Sequence, residues 1–113
     1  MKSQNDVISE LTKAIIKFRD QRDWQQFHNP KDLALAISIE AAELNELFLW
    51  KHHSEYDRKR LGEELADVLT YSLLLAHETN LDVKKIINSK IQKNKKRYPI
   101  KKSKGSSKKY NEV

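Results

Sequence analysis

Apolar residues recur every three to four positions through most of this 113-residue chain, which is the spacing of one face of an α-helix. The sequence contains only 2 Gly and 2 Pro, too few for the many tight turns of a β-sandwich or a β-barrel. The spacing predicts four helices, at about residues 6–22, 30–51, 57–79 and 82–97. We therefore expect an all-α, four-helix-bundle-like fold in a single domain that spans residues 1–113.

Residues that favour helix ends support these boundaries. Asp6 and Asp82 are each suited to cap the N-terminus of a helix, and Asn29-Pro30 is a helix-start signal. Residues 23–29 show no helical period, so we expect them to link the first two helices.

The absence of cysteine excludes several classes of site. Disulfide frameworks, zinc ribbons, Fe–S clusters and cysteine nucleophiles all require cysteine, and the sequence has none. Its absence also fits a reducing compartment, and no apolar run reaches the ~20 residues that a membrane span needs. We expect a cytoplasmic protein without a membrane partner.

Positive charge is concentrated towards the C-terminal end. The net charge is +6, yet 12 of the 22 Lys and Arg residues lie from Lys84 onward, where Glu112 is the only acid. Residues 98–113 form a basic tail, and on composition alone its part 101–113 is expected to be disordered. Such a tail suits either a small helical nucleic-acid-binding or scaffold protein, or an enzyme that holds a phosphate ligand elsewhere. Charge alone leaves both alternatives open.

The second predicted helix is apolar nearly all round, with Leu33, Ile37, Ile39, Leu44 and Leu47 on different faces. A helix with so wide an apolar surface is normally buried on more than one side. Because a chain this short cannot cover that surface by itself, we expect a homodimer or a homotetramer.

Two pairs of acidic residues interrupt the most apolar helices. Glu40 and Glu43 are spaced i, i+3, so their side chains share one face of the second helix, and Glu64 and Asp67 repeat that spacing in the third. No Lys or Arg lies one turn after any of them, although a solvated helix surface usually has cations there. A solvated acidic stripe remains the alternative. If the two helices pack antiparallel, however, the carboxylates converge and require a cation between them.

Oxygen donors without His or Cys suit Mg²⁺ or Mn²⁺ rather than Zn²⁺. Mg²⁺ bound in this way usually holds phosphate oxygens and polarises an attacking water. Residues of two further kinds indicate a ligand that carries phosphate groups and a base. Possible phosphate contacts on one face of the fourth helix are Lys90, Asn94 and Arg97, and flat surfaces for stacking a base are Trp24, Phe27 and Trp50. Together they suggest a nucleotide.

A series of short motifs follows in a fixed order. The motifs are Phe18-Arg19, Arg22-Asp23-Trp24, Gln26-Phe27-His28, Glu40-x-x-Glu43-Leu44, Glu46-Leu47-Phe48, Trp50-Lys51, Glu63-Glu64-Leu65-x-Asp67-Val68-Leu69, Tyr71, Asn94, Arg97-Tyr98-Pro99 and Gly105-Ser106-Ser107-Lys108-Lys109-Tyr110. In these motifs the chain resembles the all-α nucleoside triphosphate pyrophosphohydrolases of the MazG-like superfamily, most closely the dCTP pyrophosphatase branch. The resemblance runs from about Phe18 to Glu112.

This resemblance implies a reaction and a role for each site residue. The reaction is hydrolysis of a nucleoside triphosphate, dCTP or a related or modified deoxynucleotide, to the monophosphate and pyrophosphate. The implied Mg²⁺ ligands are Glu40, Glu43, Glu64 and Asp67, with Glu63 placed to assist or orient the nucleophilic water. The implied triphosphate contacts are Tyr71, Lys90, Asn94 and Arg97. The implied base pocket contains Trp24, His28 and Trp50, with Phe27 in support.

The resemblance also implies dimers or paired dimers and an ordered tail that folds over the phosphates. We expect no nucleic-acid partner, because the four carboxylates would repel DNA. One position differs from the eukaryotic dCTP pyrophosphatases, which have a His on the first helix that is thought to contact the cytosine. Ile15 stands there in this sequence, which removes a polar reader of the base. A related all-α hydrolase acting on a dUTP-type or phosphoribosyl-ATP-type substrate is therefore a further alternative.

Overall fold

The computed structural model describes residues 6–112, and its helices follow the predicted order. The elements are α1 (Val7–Gln21), a 3-10 turn (Gln25–Phe27), α2 (Pro30–Glu46), α3 (Arg58–Glu78), α4 (Val83–Arg97) and the short α5 (Ile100–Ser103). No strand occurs between residues 6 and 112, so the all-α prediction is confirmed. Residues 1–5 and 113, which the predicted domain and tail include, lie outside the described residues.

Capping side chains fix where the helices begin. The carboxylates of Asp6 and Asp82 accept backbone N–H groups in the first turns of α1 and α4, at 2.8 and 3.0 Å. The side chain of Asn29 does the same for α2 at 2.9 Å, and Pro30 is the first residue of that helix. These starts match the predictions because each cap satisfies an N–H group that the helix itself leaves without a partner.

The second helix is shorter than predicted, because α2 ends at Glu46 rather than near residue 51. Residues 47–50 form turns, in which the N–H of Leu47 donates to the carbonyl oxygen of Leu44. Trp50 has a φ of 63°, in the left-handed region that a right-handed helix does not use. Leu47 is nevertheless buried, so the tighter turn still brings an apolar side chain into the core.

The first compact unit of the chain contains α1, α2 and α3 and is described from residue 6 to residue 81. The α2 helix packs along α3, and α1 also packs against α3. Its buried apolar side chains are Leu33, Leu47, Leu74 and Ala76. The pairing of α2 with α3 brings together the two helices on which the sequence places acidic pairs.

The second compact unit contains α4, α5 and the tail as far as residue 112. The ring of Tyr110 lies edge to face with that of Tyr98, with the centroids 6.2 Å apart, and the guanidinium carbon of Arg97 lies 4.6 Å from the Tyr110 centroid. Gly105 has a φ of 79°, a conformation that glycine adopts without steric cost. The expectation of disorder from composition is therefore wrong for residues 101–112, because composition does not register the contacts that hold Tyr110.

Among the described residues, no helix combines the length and the apolar character needed to cross a membrane. The single-domain organisation over residues 1–113 and the cytoplasmic location stay predictions.

Candidate active site

Acidic side chains from α2 and α3 meet in one cluster. Glu40, Glu43 and Glu64 can each offer a carboxylate oxygen, and these oxygens lie within 4.8 Å of one another. We include Asp67 because its carboxyl group is close enough to help raise the pKa of Glu40. The i, i+3 spacing puts each pair on one helix face, and the packing of α2 on α3 turns the two faces towards each other. We call these residues the carboxylate cluster.

Negative charge accumulates in the carboxylate cluster. Hydrogen bonding to Glu43, burial and a further hydrogen bond to Asp67 together raise the pKa of Glu40 to about 7. Burial raises the pKa of Glu64 as well, and the charges of Glu43 and Asp67 add to that effect. The Oε2 atom of Glu64 is buried without a hydrogen-bond partner. The protein thus keeps several carboxyl groups close together in a way that favours binding either a proton or a cation.

One basic residue near the carboxylate cluster, Arg60, was not predicted from the sequence, because it precedes the acid that it influences by one turn. Arg60 lies one turn before Glu64 on α3, and its positive charge lowers the pKa of that carboxyl group. It does not neutralise the carboxylate cluster, because the net shift of the Glu64 pKa is still upward. Within residues 6–112, the ion pairs join Arg19 to Asp20 and to Glu78, and none of them reaches the carboxylate cluster.

The donor set of the carboxylate cluster fits a divalent metal ion. All its donors are oxygens, which hard cations prefer, and Glu40 and Glu64 are half-buried rather than spread along a solvated stripe. The partnerless Glu64 oxygen and the raised pKa values are what a metal-free site of this kind leaves behind. The carboxylate cluster is therefore a candidate metal centre.

A cavity of about 210 Å³ lies beside the carboxylate cluster and shares Asp67 with it. The lining residues are Ile15, Phe18, Arg19, Trp24, His28, Asp67, Thr70, Tyr71 and Leu74. They come from α1, from the link after it and from α3, so the cavity is formed entirely within the first unit. We call it the aromatic cavity.

Two aromatic pairs form the walls of the aromatic cavity. The rings of Phe18 and Trp24 meet edge to face with centroids 5.7 Å apart, and those of His28 and Tyr71 do so at 6.5 Å. Burial, and then the negative charges of Glu40 and Asp67, raise the pKa of Tyr71, so its phenol stays protonated and can donate a hydrogen bond.

His28 is the polar residue of the aromatic cavity without a partner of its own. Its Nδ1 atom is buried and makes no hydrogen bond. Burial lowers the pKa of His28, the positive charge of Arg19 lowers it further, and the negative charge of Glu78 acts in the opposite direction. The imidazole is therefore neutral at pH 7 and offers one donor and one acceptor.

Similar proteins with this fold are known. The structure of a pyrophosphatase from Archaeoglobus fulgidus matches with a TM-score of 0.77 at 38% sequence identity, over 81% of this chain and 92% of that chain. The dCTP pyrophosphatase 1 proteins of Rattus norvegicus and Homo sapiens are each 37% identical to this chain, in alignments that cover 98% of this chain and 70% of those proteins. A sequence profile described as the MazG-like family matches residues 35–113. The chain belongs to the MazG-like family.

The structure of this MazG-like chain brings some predicted site residues together and leaves others apart. Trp24, His28 and Tyr71 line the aromatic cavity, next to the carboxylate cluster. Phe27 and Trp50 do not line it and are 62% and 95% exposed. Their predicted roles at the base therefore stay predictions.

Four further predicted residues lie at exposed positions or in the second unit. Glu63 is exposed on α3, next to Glu64 in the sequence. Lys90, Asn94 and Arg97 lie on α4, where their spacing of i, i+4, i+7 places them on one helix face. Their contacts with a triphosphate stay predictions.

Some residues of the aromatic cavity in this MazG-like chain were not predicted from the sequence. Thr70 and Leu74 follow Asp67 by three and seven positions, so helical spacing alone places them on the face of Asp67. Arg19 appeared only within a family motif, and no signal in the sequence indicates that its side chain is buried between α1 and α3.

Proposed function

We propose that this chain hydrolyses a nucleoside triphosphate between its α- and β-phosphates and releases a nucleoside monophosphate and pyrophosphate. The observation that carries the proposal is the convergence of Glu40, Glu43 and Glu64, with oxygens within 4.8 Å of one another, beside the aromatic cavity. The names of the similar proteins, dCTP pyrophosphatase 1 and pyrophosphatase, support the same reaction class. A metal centre next to an aromatic pocket suits a substrate that carries both phosphates and a base.

The carboxylate cluster would hold Mg²⁺, or Mn²⁺ in its place. Glu40, Glu43, Glu64 and Asp67 provide oxygen donors only, which favours these ions over Zn²⁺. When bound there, the ion supplies positive charge that neutralises phosphate oxygens and promotes attack by water. The raised pKa of Glu40, about 7, implies that the carboxylate cluster must release protons to bind the ion.

The remaining steps belong to side chains of this protein. Glu63 is exposed beside Glu64, and its carboxylate oxygen would accept a proton from the attacking water. The protonated phenol of Tyr71 would donate a hydrogen bond to a phosphate oxygen. Trp24 and His28 would hold the base within the aromatic cavity. Lys90, Asn94 and Arg97 are kept as proposed phosphate contacts on the basis of the family motifs.

The base is proposed to be cytosine or a related or modified pyrimidine of a deoxynucleotide. Ile15 lines the aromatic cavity, and the family resemblance implies a His at this position in the eukaryotic dCTP pyrophosphatases. An apolar residue there cannot form a hydrogen bond to the base, which weakens rejection of analogues. We therefore expect a broader choice of base than a site with a polar residue at this position would allow.

Self-association is part of the proposal. Exposed apolar residues recur at i, i+4 on α2, at Leu35 and Ile39, and on α3, at Leu65 and Leu69. Burying such surfaces against another copy removes them from water, with a gain of roughly 25 cal/mol per Å² of apolar area. A homodimer or a homotetramer would accomplish this.

A panel of canonical and modified deoxynucleoside triphosphates, incubated with Mg²⁺ and resolved by chromatography, tests the proposed reaction. We expect the monophosphate and pyrophosphate in equal amounts, and turnover lower by about 100-fold or more in Glu64→Ala. The control is Glu10→Ala, because Glu10 is an exposed acid in the first turn of α1, away from the site. Helicity measured by circular dichroism should stay unchanged in both variants.

Two outcomes would contradict the proposal. Release of orthophosphate with the diphosphate would mean that a different phosphoanhydride bond is cleaved. Equal turnover in Glu64→Ala and the parent would mean that the carboxylate cluster does not carry out the reaction.

A further inference from the structure

Arg19 is the residue of this site whose burial the proposed reaction does not explain. Among residues 6–112 it is the one charged side chain that is buried, with 3% of its surface exposed. Its guanidinium pairs with Glu78 on α3 at 2.9 Å and with the neighbouring Asp20 at 2.9 Å. Arg19 and Glu78 lie 59 positions apart in the sequence, so this contact ties the end of α1 to the end of α3.

Burying the guanidinium of an ion pair is a poor way to stabilise a small protein. Removing two charges from water costs about as much as their attraction returns, and apolar side chains of similar size often do as well. Such a pair does provide a defined geometry, because the planar guanidinium donates its hydrogen bonds in only a few fixed directions. The geometry that Arg19 and Glu78 define is that of the aromatic cavity, which Arg19 lines.

The backbone of Arg19 positions Trp24, which forms one wall of the aromatic cavity together with Phe18. Its carbonyl oxygen accepts the N–H groups of Arg22 and Trp24, both at 3.1 Å. The chain reverses between them at Asp23, whose φ of 54° is in the left-handed region. Trp24 therefore reaches the ring of Phe18 through a turn that is fastened to Arg19.

The side chains of Arg19 and Glu78 influence the pKa of His28, which forms the other wall of the aromatic cavity together with Tyr71. The positive charge of Arg19 lowers the pKa of the imidazole, and the negative charge of Glu78 raises it. Two other titratable groups face the same space from α3: the phenol of Tyr71, against the His28 ring, and the carboxyl group of Asp67 in the lining. His28 keeps its buried Nδ1 atom without a partner, so a ligand in the cavity is the available partner for it.

We propose that Arg19 and Glu78 are a positioning pair for base recognition, which holds Trp24 and His28 in the arrangement that binds the nucleobase. This inference rests on the proposed function. The two residues act through Trp24 and His28 and take no part in the reaction at the phosphates. Losing either one should therefore weaken substrate binding more than turnover.

Two variants separate a positioning role from a purely structural one. Glu78→Gln and Arg19→Met both break the ion pair, so both should lower thermal stability. Their effects on His28 are opposite, because Glu78→Gln leaves a positive charge beside the imidazole and Arg19→Met leaves a negative one. The His28 pKa should thus fall in Glu78→Gln and rise in Arg19→Met. If the ion pair only stabilised the packing around His28, the imidazole would become less buried in both variants and its pKa would move towards its ordinary value in both.

The measurements are an NMR titration of the His28 ring in the full-length protein and KM and kcat for dCTP with Mg²⁺ at pH 6.5 and 8.5. We expect KM to rise about tenfold in each variant, with kcat within about threefold of the parent, values typical of lost binding contacts. In Arg19→Met the rise in KM should be larger at pH 6.5 than at pH 8.5, because a raised His28 pKa leaves more of the imidazole charged at the lower pH. Lys17→Met and Glu10→Gln, exposed changes of the same charge type on α1, should leave all these quantities unchanged.

The double variant Arg19→Met/Glu78→Gln removes both charges and should return the His28 pKa close to that of the parent, even if it is less stable. A His28 pKa that moves in the same direction in both single variants, or a loss confined to kcat, would overturn the inference. Absence of any triphosphate hydrolysis by the parent protein would instead refute the proposed function. The NMR titrations would still test the positioning pair in that case, as would quenching by dCTP of the fluorescence of Trp24 in a Trp50→Phe background, which removes the other tryptophan.

Discussion

The rings of His28 and Tyr71 meet edge to face with their centroids 6.5 Å apart, and this contact connects the two halves of the site. His28 belongs to the wall of the aromatic cavity, whereas the phenol of Tyr71 is influenced by Glu40 and Asp67 of the carboxylate cluster. A ligand that fills the cavity and reaches the carboxylate cluster must therefore pass Tyr71. The contact places the aromatic cavity next to the carboxylate cluster, which is the arrangement that the proposed function requires.

Tyr71→Phe should lower kcat/KM for the triphosphate by about 10- to 100-fold, the usual loss for a hydrogen bond to a charged group. Burial and the nearby acids raise the pKa of Tyr71, so the phenol remains a donor throughout the neutral range. The Phe ring preserves the contact with His28, and thermal stability should change little. A kcat/KM within twofold of the parent would remove Tyr71 from the phosphate site.

The metal-free protein should be less stable at pH 8 than at pH 5. The pKa of Glu40 is raised from 4.5 to about 7 in the folded state, so its contribution is fully present below pH 4.5 and is lost as the pH rises through 7. Discounted for partial solvation, this amounts to roughly 1 kcal/mol, or about 4–8 °C in Tm for a domain of this size. Thermal melts in the presence of EDTA measure it.

Two comparisons check the origin of that pH dependence. Glu40→Gln should remove most of the difference in Tm between pH 5 and pH 8, because its side chain does not ionise. Addition of Mg²⁺ should raise Tm more at pH 8 than at pH 5, since protons no longer compete for the carboxylate cluster. Equal metal stabilisation at both pH values would contradict a site made of Glu40 and its neighbours.

Arg60→Gln should change the pH dependence of metal binding. The charge of Arg60 lowers the pKa of Glu64, so its removal raises that pKa and keeps more of the carboxyl group protonated at low pH. Mn²⁺ affinity, measured by calorimetry, should therefore fall at pH 6. At pH 8.5 it should equal or exceed that of the parent, because a repelling cation has been removed.

The matched control for this experiment is Lys59→Gln, which removes the same charge from the neighbouring position of α3. Lys59 is exposed and, five positions before Glu64, it lies on a different face of α3. An identical response of Lys59→Gln and Arg60→Gln would mean that net charge, rather than the position of Arg60, controls metal affinity.

Ile39→Glu should convert the proposed oligomer to a smaller species, as measured by light scattering during gel filtration. Ile39 is 52% exposed on α2, so the new charge can be solvated in a monomer but not within an apolar interface. Leu81→Glu replaces a residue of similar exposure outside the helices and should leave the mass unchanged. A parent protein that elutes as a monomer would contradict the oligomeric proposal.

The carboxylate cluster was largely predictable, because helical spacing alone puts Glu40 and Glu43 on one face and Glu64 and Asp67 on another. The end of α2 was not predictable. The apolar run at 47–50 is compatible with a continued helix, yet in the structure these residues form turns in which Leu47 is buried in the core. Composition alone suggested a disordered tail, whereas the family resemblance implied an ordered one, and in the structure Tyr110 contacts Tyr98 and Arg97.

The sequence by itself determined where α1 to α4 begin, the acidic pairs and the family, because all of these depend on residues a few positions apart or on motifs in a fixed order. Only the tertiary structure decided that α2 lies against α3 with the two acidic faces together, and that Arg19 pairs with a residue 59 positions away. Helical periodicity gives the direction of a side chain around its own axis and no information about the neighbouring helix. The shape and charge of the aromatic cavity arise from that second relationship.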